Sequence, residues 1–359
     1  MKILYITRKY PPSVGGMQRQ SFELAKALSG KAEVEVIAWG HSQAFLPFFI
    51  FYALLKSAYL IPAKKIEIVH VGDALLSPLG HLLKSIFGIR AVATAHGLDV
   101  TFPNRAYQAV VIPSMRKLDF AICVSNSTME ECIKRGVSAE RATVIPNGIS
   151  ANADIFHEKA GELLLQKHPE IGNSEMLLTV GRLVKRKGVE WFAREVMPML
   201  DRKIIYAVVG EGGERGKIEN SIKEKKLEGR VLLMGKVSEE ELSWLYSRAK
   251  IFVMPNISVE GDMEGFGIVA LEASMHSLPV VASGMEGIKD AVANGKNGWL
   301  VKPMDRKEFY EKITWLLENE AERAKLGKSA LKYAGEFSWK RIAGKHIKVY
   351  VDILEGRQK

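Results

Sequence analysis

Glu264-Gly-Phe-Gly-Ile-Val-Ala-Leu-Glu272 stands between two short apolar runs, Ile251 to Met254 and Pro279-Val-Val-Ala-Ser283. Runs rich in β-branched residues on either side of a glycine-led helical pattern read as strand, helix, strand, the unit of a parallel sheet. The Phe-Gly step between an acidic residue and an apolar helix frees backbone N–H groups at the helix N-terminus, where phosphates and sugar hydroxyls are held. One Glu sits in the loop and the other about two turns on. Two carboxylates around such a start mark a ligand site rather than a packing feature.

The same rhythm extends over the chain in both directions. Candidate strands are Lys2 to Thr7, Glu33 to Ala38, Ile66 to Val71, Arg90 to Thr94, Phe120 to Val124 and Thr143 to Ile145. Helical patterns separate them, among them Met17 to Leu28 and Ser127 to Arg135, the latter opened by Ser127-x-x-Glu130, a capping-box pattern. After a polar stretch, Ala151 to Ser174, strands recur at Met176 to Val180, Ile204 to Val209, Val231 to Met234, Ile251 to Met254, Pro279 to Ala282 and Trp299 to Val301. The expected fold class is therefore α/β, with two doubly wound parallel-sheet domains, 1–150 and 151–339. A final helix from Trp339 to about Leu354 closes the pattern.

Composition permits this reading and narrows the partners. A chain of 359 residues exceeds what one core usually supports, and 47% hydrophobic residues suffice for two. The formal charge of +10 implies affinity for anions; residues 1–150 carry 17 Lys or Arg against 10 Asp or Glu. No Arg-rich run with interleaved aromatics appears, which argues against nucleic acid. Cys123 and Cys132 lack metal-ligand spacing and read as reduced core residues of a cytoplasmic protein. The opening Met1-Lys-Ile-Leu-Tyr-Ile-Thr7 is too short an apolar run for a signal peptide and reads as a buried first strand.

One segment stands apart. Ala44 to Pro62, AFLPFFIFYALLKSAYLIP, has a single charge, Lys56, and a proline near its start. A central lysine argues against spanning a bilayer. Two readings stay open: a helix lying in an anionic membrane interface through Ala44–Lys65, with Lys56, Lys64 and Lys65 on the headgroups, or a helix that covers a sheet.

Four further motifs follow predicted strands, where ligands bind in doubly wound sheets. Pro11-Pro-Ser-Val-Gly-Gly16 departs from G-x-G-x-x-G, yet its glycine pair allows close backbone approach; a plain turn is the alternative. Thr94-Ala-His96-Gly97-Leu98-Asp99 presents an imidazole at a strand end, with Asp99 either a helix cap or a reactive group. Val180-Gly181-Arg182-Leu-Val-Lys185-Arg186-Lys187-Gly188 sets two cations among glycines, suited to a diphosphate or simply a solvated turn, with Lys185 and Arg186 expected to be exposed. Gly210-Glu211-Gly212-Gly213 places its next glycine, Gly216, one residue too late for a dinucleotide fingerprint.

With these motifs the chain resembles the retaining nucleotide-sugar glycosyltransferases of the GT-B fold, family 4, glycosyl transferases group 1. The signature of that family is a Glu, seven residues and a second Glu in an EGFG-like start. The resemblance runs over nearly the whole chain. It implies two Rossmann-like domains facing a cleft, the first on the acceptor side and the second binding the nucleotide sugar. The terminal helix, about 340–359, would cross back to the first domain.

The resemblance also implies site roles. The Gly16 loop lies against donor phosphates, His96 near the transferred sugar, and Gly210 at the border of the donor site. Arg182 and Lys187 neutralise the leaving diphosphate, and backbone groups at Lys236 and Val237 read the base. Glu264 holds sugar and phosphate oxygens with the amides of Phe266, Gly267, Ile268 and Val269, and Glu272 accepts from ribose hydroxyls. Ser150 stands where an Asp is usual, and Asn256 follows Pro255 where Ser is common. Asp262-Met-Glu264 looks like a metal-binding acidic triplet, but the resemblance implies no metal and no cofactor.

The expected activity is retaining transfer of a hexose from a UDP- or GDP-linked sugar to a hydroxyl, in glycan or polysaccharide synthesis. No nucleophile is evident. The apolar segment and basic first domain favour a lipid-linked or membrane-proximal acceptor, on a cytoplasmic protein peripheral to the inner membrane face, over a soluble sugar. Two other classes stay in view: a GT-B sugar-nucleotide epimerase, which needs further carboxylates and histidines, and a non-catalytic nucleotide-binding membrane protein, against which both glutamates and both cations argue.

Overall fold

Parallel pairing turns the predicted runs into two six-stranded sheets. The computed structural model describes residues 1–13, 15–150, 158–172 and 174–357. The chain forms two compact units, Met1–Gly148 with Gly261–Phe266 and Phe337–Lys359, and Ile149–Glu260 with Gly267–Glu336. Residues 151–157, where the second domain is predicted to begin, and residue 173 of the polar stretch lie outside the described residues.

In the first unit the elements run β1 (Lys2–Thr7), α1 (Gly16–Ser29), β2 (Glu33–Ala38), α2 (Leu46–Lys64), β3 (Ile68–Val71), α3 (Ser77–Phe87) and β4 (Arg90–Ala95). They continue through α4 (Leu98–Thr101), α5 (Arg105–Arg116), β5 (Phe120–Cys123), α6 (Asn126–Lys134) and β6 (Ala142–Val144). The strand order is β2-β1-β3-β4-β5-β6, so the chain reverses direction across the sheet between β1 and β3.

Alternation along β1 builds two cores. Leu4 and Ile6 face a layer containing Phe49 and Ala53 of α2 and Leu79 and Leu83 of α3. Ile3 and Tyr5 face the other layer, with Leu24 and Leu28 of α1 and Ile342 and Tyr350 of the terminal helix. Each fully buried aliphatic or aromatic side chain contributes about 1.5–3 kcal/mol.

The second unit contains α7 (Glu158–Lys167), β7 (Glu175–Val180), α8 (Val189–Glu195), β8 (Ile204–Val209), α9 (Arg215–Glu224), β9 (Val231–Gly235), α10 (Glu239–Arg248) and β10 (Ile251–Met254). Then come α11 (Ile268–Met275), β11 (Val280–Ser283), α12 (Ile288–Ala291), β12 (Gly298–Val301), α13 (Arg306–Glu318) and α14 (Glu320–Ala334). The order β12-β11-β10-β7-β8-β9 is that of dinucleotide-binding sheets, with its reversal between β7 and β10. The terminal helix α15 (Trp339–Leu354) belongs to the first unit.

One local expectation is corrected. Helix α6 is capped by Ser125, whose side chain accepts from Thr128 N–H, because Ser125 is the residue with extended backbone; the predicted Ser127–Glu130 box is already inside the helix. A capping box does form at α10, between Ser238 and Glu241. Helix α2 does cover the sheet through Phe49, Ala53, Leu60 and Ile61, yet its other face leaves Phe48 72% and Tyr59 70% exposed, with Phe51 and Leu55 between them. It is long and apolar enough to cross a membrane by length and composition.

Candidate functional site

Loops at the carboxyl ends of β1, β3 and β4 carry the polar groups of the first unit. Gly72 and Asp73 follow β3, and Arg8 follows β1. Arg8 Nε lies 2.8 Å from Asp73 Oδ2, and the Asp73 carboxylate is almost wholly buried. Two desolvated charges compensate each other at the reversal point of the sheet. Neither residue stands out in sequence; the available signal was position, since Arg8 directly follows β1 and Asp73 lies two residues beyond β3.

His96 is half-buried after β4, with its Nε2 2.9 Å from the Gly72 carbonyl. The carbonyl can only accept, so Nε2 is the donor in this contact. Asp99 settles between its two readings. Its Oδ1 accepts from His96 N–H at 2.8 Å and its Oδ2 from Ala74 N–H at 2.9 Å. The carboxylate is a clamp that ties the β3 loop to the histidine turn. Burial raises its pKa above the usual carboxylate value, against the opposing pull of His96 and the two amides.

Gly261–Phe266 belongs to this unit and lies on the histidine turn. A Cβ on Gly265 would fall 2.0 Å from the His96 carbonyl oxygen, a separation only glycine avoids. Glu264, the residue before it, is buried, and Phe266 packs against Phe337 with ring centroids 6.1 Å apart. Thus His96 and Glu264, far apart in sequence, occupy adjoining backbone turns. Gly16 is exposed as the first residue of α1, and Val14 of its loop lies outside the described residues.

In the second unit the turns after β7 and β8 meet. A Cβ on Gly210 would lie 2.0 Å from the Gly181 carbonyl oxygen, so these backbones touch. Lys187 is buried and folds back on the same turn, its Nζ 3.7 Å from where a Gly181 Cβ would stand. Arg182 and Lys185 are exposed. Arg186, expected in solvent, is buried instead, because its backbone is drawn inward where its carbonyl accepts from Ile257 N–H at 2.9 Å. Asn256 is also buried.

Helix α11 starts after Gly267, whose φ of 81° makes it a left-handed cap. The first-turn N–H groups of Ile268 and Val269 have no intrahelical acceptor, as at any helix start. Glu272 is half-buried on this helix and accepts from the Tyr246 hydroxyl at 3.2 Å. Tyr246 was not anticipated, being separated from Glu272 by a loop and a strand. Lys236, beyond the edge strand β9, is exposed and pairs with Glu211 at 3.4 Å, a solvated contact of little energetic weight; Val237 is half-buried. Among the described residues no cluster of three or more His, Cys, Asp or Glu is arranged to hold a metal ion.

Two parallel six-stranded sheets of this kind in one chain are the architecture of the GT-B fold. Residues 14–153 match the family described as Glycosyltransferase Family 4, and residues 162–333 the family described as Glycosyl transferases group 1. The chain belongs to these glycosyltransferases. It is 27% identical to an uncharacterized glycosyltransferase of Methanocaldococcus jannaschii, over 99% of both chains. A D-inositol 3-phosphate glycosyltransferase of Corynebacterium diphtheriae is 28% identical, over 80% of this chain and 70% of that one. In fold it is similar to Anabaena Alr3699/HepE in complex with UDP, with TM-score 0.79, 20% identity and coverage of 98% and 100% of the two chains. Sucrose-phosphate synthase from Thermosynechococcus elongatus is similar too, with TM-score 0.79, 23% identity and 99% of each chain.

Proposed function

We propose that this glycosyltransferase moves a hexose from a UDP- or GDP-linked sugar to an acceptor hydroxyl with retention of anomeric configuration. Lys187 carries the reading. A lysine head buried beside a glycine turn, where the sheet reverses and with Arg182 next to that turn, matches the charge of a diphosphate. The solved relative that binds UDP supports a nucleotide diphosphate as ligand.

In this reading Glu272 accepts from the ribose, and Lys236 and Val237 border the base. Gly16 and Gly210 allow backbone to approach the donor. Glu264 and the amides from Phe266 to Val269 hold sugar and phosphate oxygens, and His96 lies near the transferred hexose. The acceptor oxygen bonds to the anomeric carbon on the face that the diphosphate leaves. The carbon–oxygen bond to phosphate breaks, and a phosphate oxygen takes the acceptor proton. Negative charge grows on the departing diphosphate, so Arg182, Lys187 and the helix amides act chiefly in the transition state. No metal or other cofactor takes part.

The acceptor is lipid-linked or membrane-proximal, and the exposed aromatic face of α2 with Lys56, Lys64 and Lys65 rests on anionic lipid. The functional division is an acceptor-side first unit and a donor-binding second unit.

Calorimetric titration with UDP, GDP and ADP in the absence of metal tests the donor site. One nucleotide binds tightly to the wild type and much more weakly to Glu272→Ala. Failure of all three to bind removes the proposal, and inverted anomeric coupling in the product's NMR spectrum removes retention.

A further inference from the structure

Glu272 and His276 stand one turn apart at the end of α11 and share a face. Tyr246, near the end of α10, meets both. Its hydroxyl donates to Glu272 Oε2 at 3.2 Å, and its ring stacks on the His276 imidazole with centroids 5.1 Å apart and planes at 17°. A second contact holds the ring in place: it leans on Phe252 of β10, fully buried in the sheet, at 5.7 Å. The histidine is tied in turn, with its Nδ1 3.3 Å from Ser247 Oγ.

These contacts make the phenol a donor with a set position. Tyrosine has few rotatable bonds, and its ring here is gripped by a strand residue and by a helix residue on the face that bears Glu272. A glutamate side chain, by contrast, gives up considerable rotamer freedom whenever it is ordered to meet a ligand. A carboxylate offers about four lone-pair sites, and the tyrosine takes one of them. Fixing the group before the ligand arrives lowers the ordering cost at binding.

We infer that Tyr246 is a positioning residue for donor recognition, holding Glu272 in the rotamer that accepts from the vicinal hydroxyls of a ribose. This rests on the reading of Glu272 as the ribose acceptor. Tyr246 then sets the discrimination between ribonucleotides and their deoxy forms, although it touches neither hydroxyl.

The test compares binding of UDP and 2′,3′-dideoxy-UDP, or the matching GDP pair if GDP binds more tightly, to three proteins. Wild type prefers the ribonucleotide. Tyr246→Phe keeps the ring packing and loses only the hydroxyl; it weakens ribonucleotide binding about tenfold, in line with losing a hydrogen bond to a charged group, and leaves dideoxynucleotide binding unchanged. Glu272→Gln loses most of the preference. A Tyr246→Phe protein that keeps the full preference, or that loses affinity equally for both ligands, overturns the inference. A Glu272→Gln protein that keeps the preference overturns the underlying reading of Glu272 instead.

Discussion

At the scale of single residues, the first unit is organised by contacts too close for a side chain. The His96 carbonyl occupies the space that any Cβ on Gly265 would need, and Asp99 locks the same turn from the other side through two amides. Gly265→Ala must therefore displace either His96 or Glu264. A misplacement of about 1 Å near reacting groups costs on the order of a hundredfold in rate. We expect Gly265→Ala to fold, melt slightly lower and lose that order of kcat. Gly213→Ala, where an added Cβ meets open space, is expected to keep its rate. Steady-state kinetics of the two variants decide the matter, and equal rates would show that the turn does not position the chemistry.

Among the elements, α2 has one packed face and one exposed apolar face. Phe49 and Ala53 are locked into the sheet's core, so the helix is a fixed part of the first unit. Phe48, Phe51, Leu55 and Tyr59 recur at helical spacing on the outer face and remain exposed. An aromatic stripe with lysines at its flanks suits the interface of an anionic leaflet. Flotation with vesicles rich in phosphatidylserine or phosphatidylglycerol at low salt is expected to carry the wild type upward. Phe48→Ser combined with Tyr59→Ser should leave the protein at the bottom while its nucleotide affinity stays unchanged. Wild type that does not float would refute the docking role of α2.

For the molecule as a whole, α15 is held to the sheet of the first unit by buried imidazoles. His70 lies between the Thr94 hydroxyl at 2.8 Å and the Tyr350 hydroxyl at 2.6 Å, and stacks on His346. Burial lowers the His346 pKa to about 4 and that of His70 well below its ordinary value. Unfolding returns both to about 6.5, so between these values the unfolded chain binds more protons and stability rises with pH. The contribution is complete above about pH 6.5 and is lost as pH falls toward 4. Urea unfolding at pH 7.5 and pH 5 is expected to show a marked loss on acidification. In His346→Gln that loss should shrink by about 2 kcal/mol. An unchanged pH dependence in the variant would mean that His346 is not kept neutral by the fold.

The elements, and much of the candidate site, were legible in the sequence. Strands buried on both faces are continuous apolar runs, and each predicted run overlaps a strand of the fold, with ends shifted by a residue or two. The glycine turns and Glu264-to-Glu272 stretch were readable because helix starts and glycine chemistry are local. Strand order was not, and with it went the Arg8–Asp73 pair, the hold of Tyr246 on Glu272 and the burial of Arg186. Those depend on which strand ends become neighbours, and a pattern of apolar residues records that a strand is buried without recording beside what. The sequence by itself determined the units from which this glycosyltransferase is built and the residue types at their ends. Only the tertiary structure decided which of those residues meet, because charges and hydroxyls acquire partners through packing rather than through position in the chain.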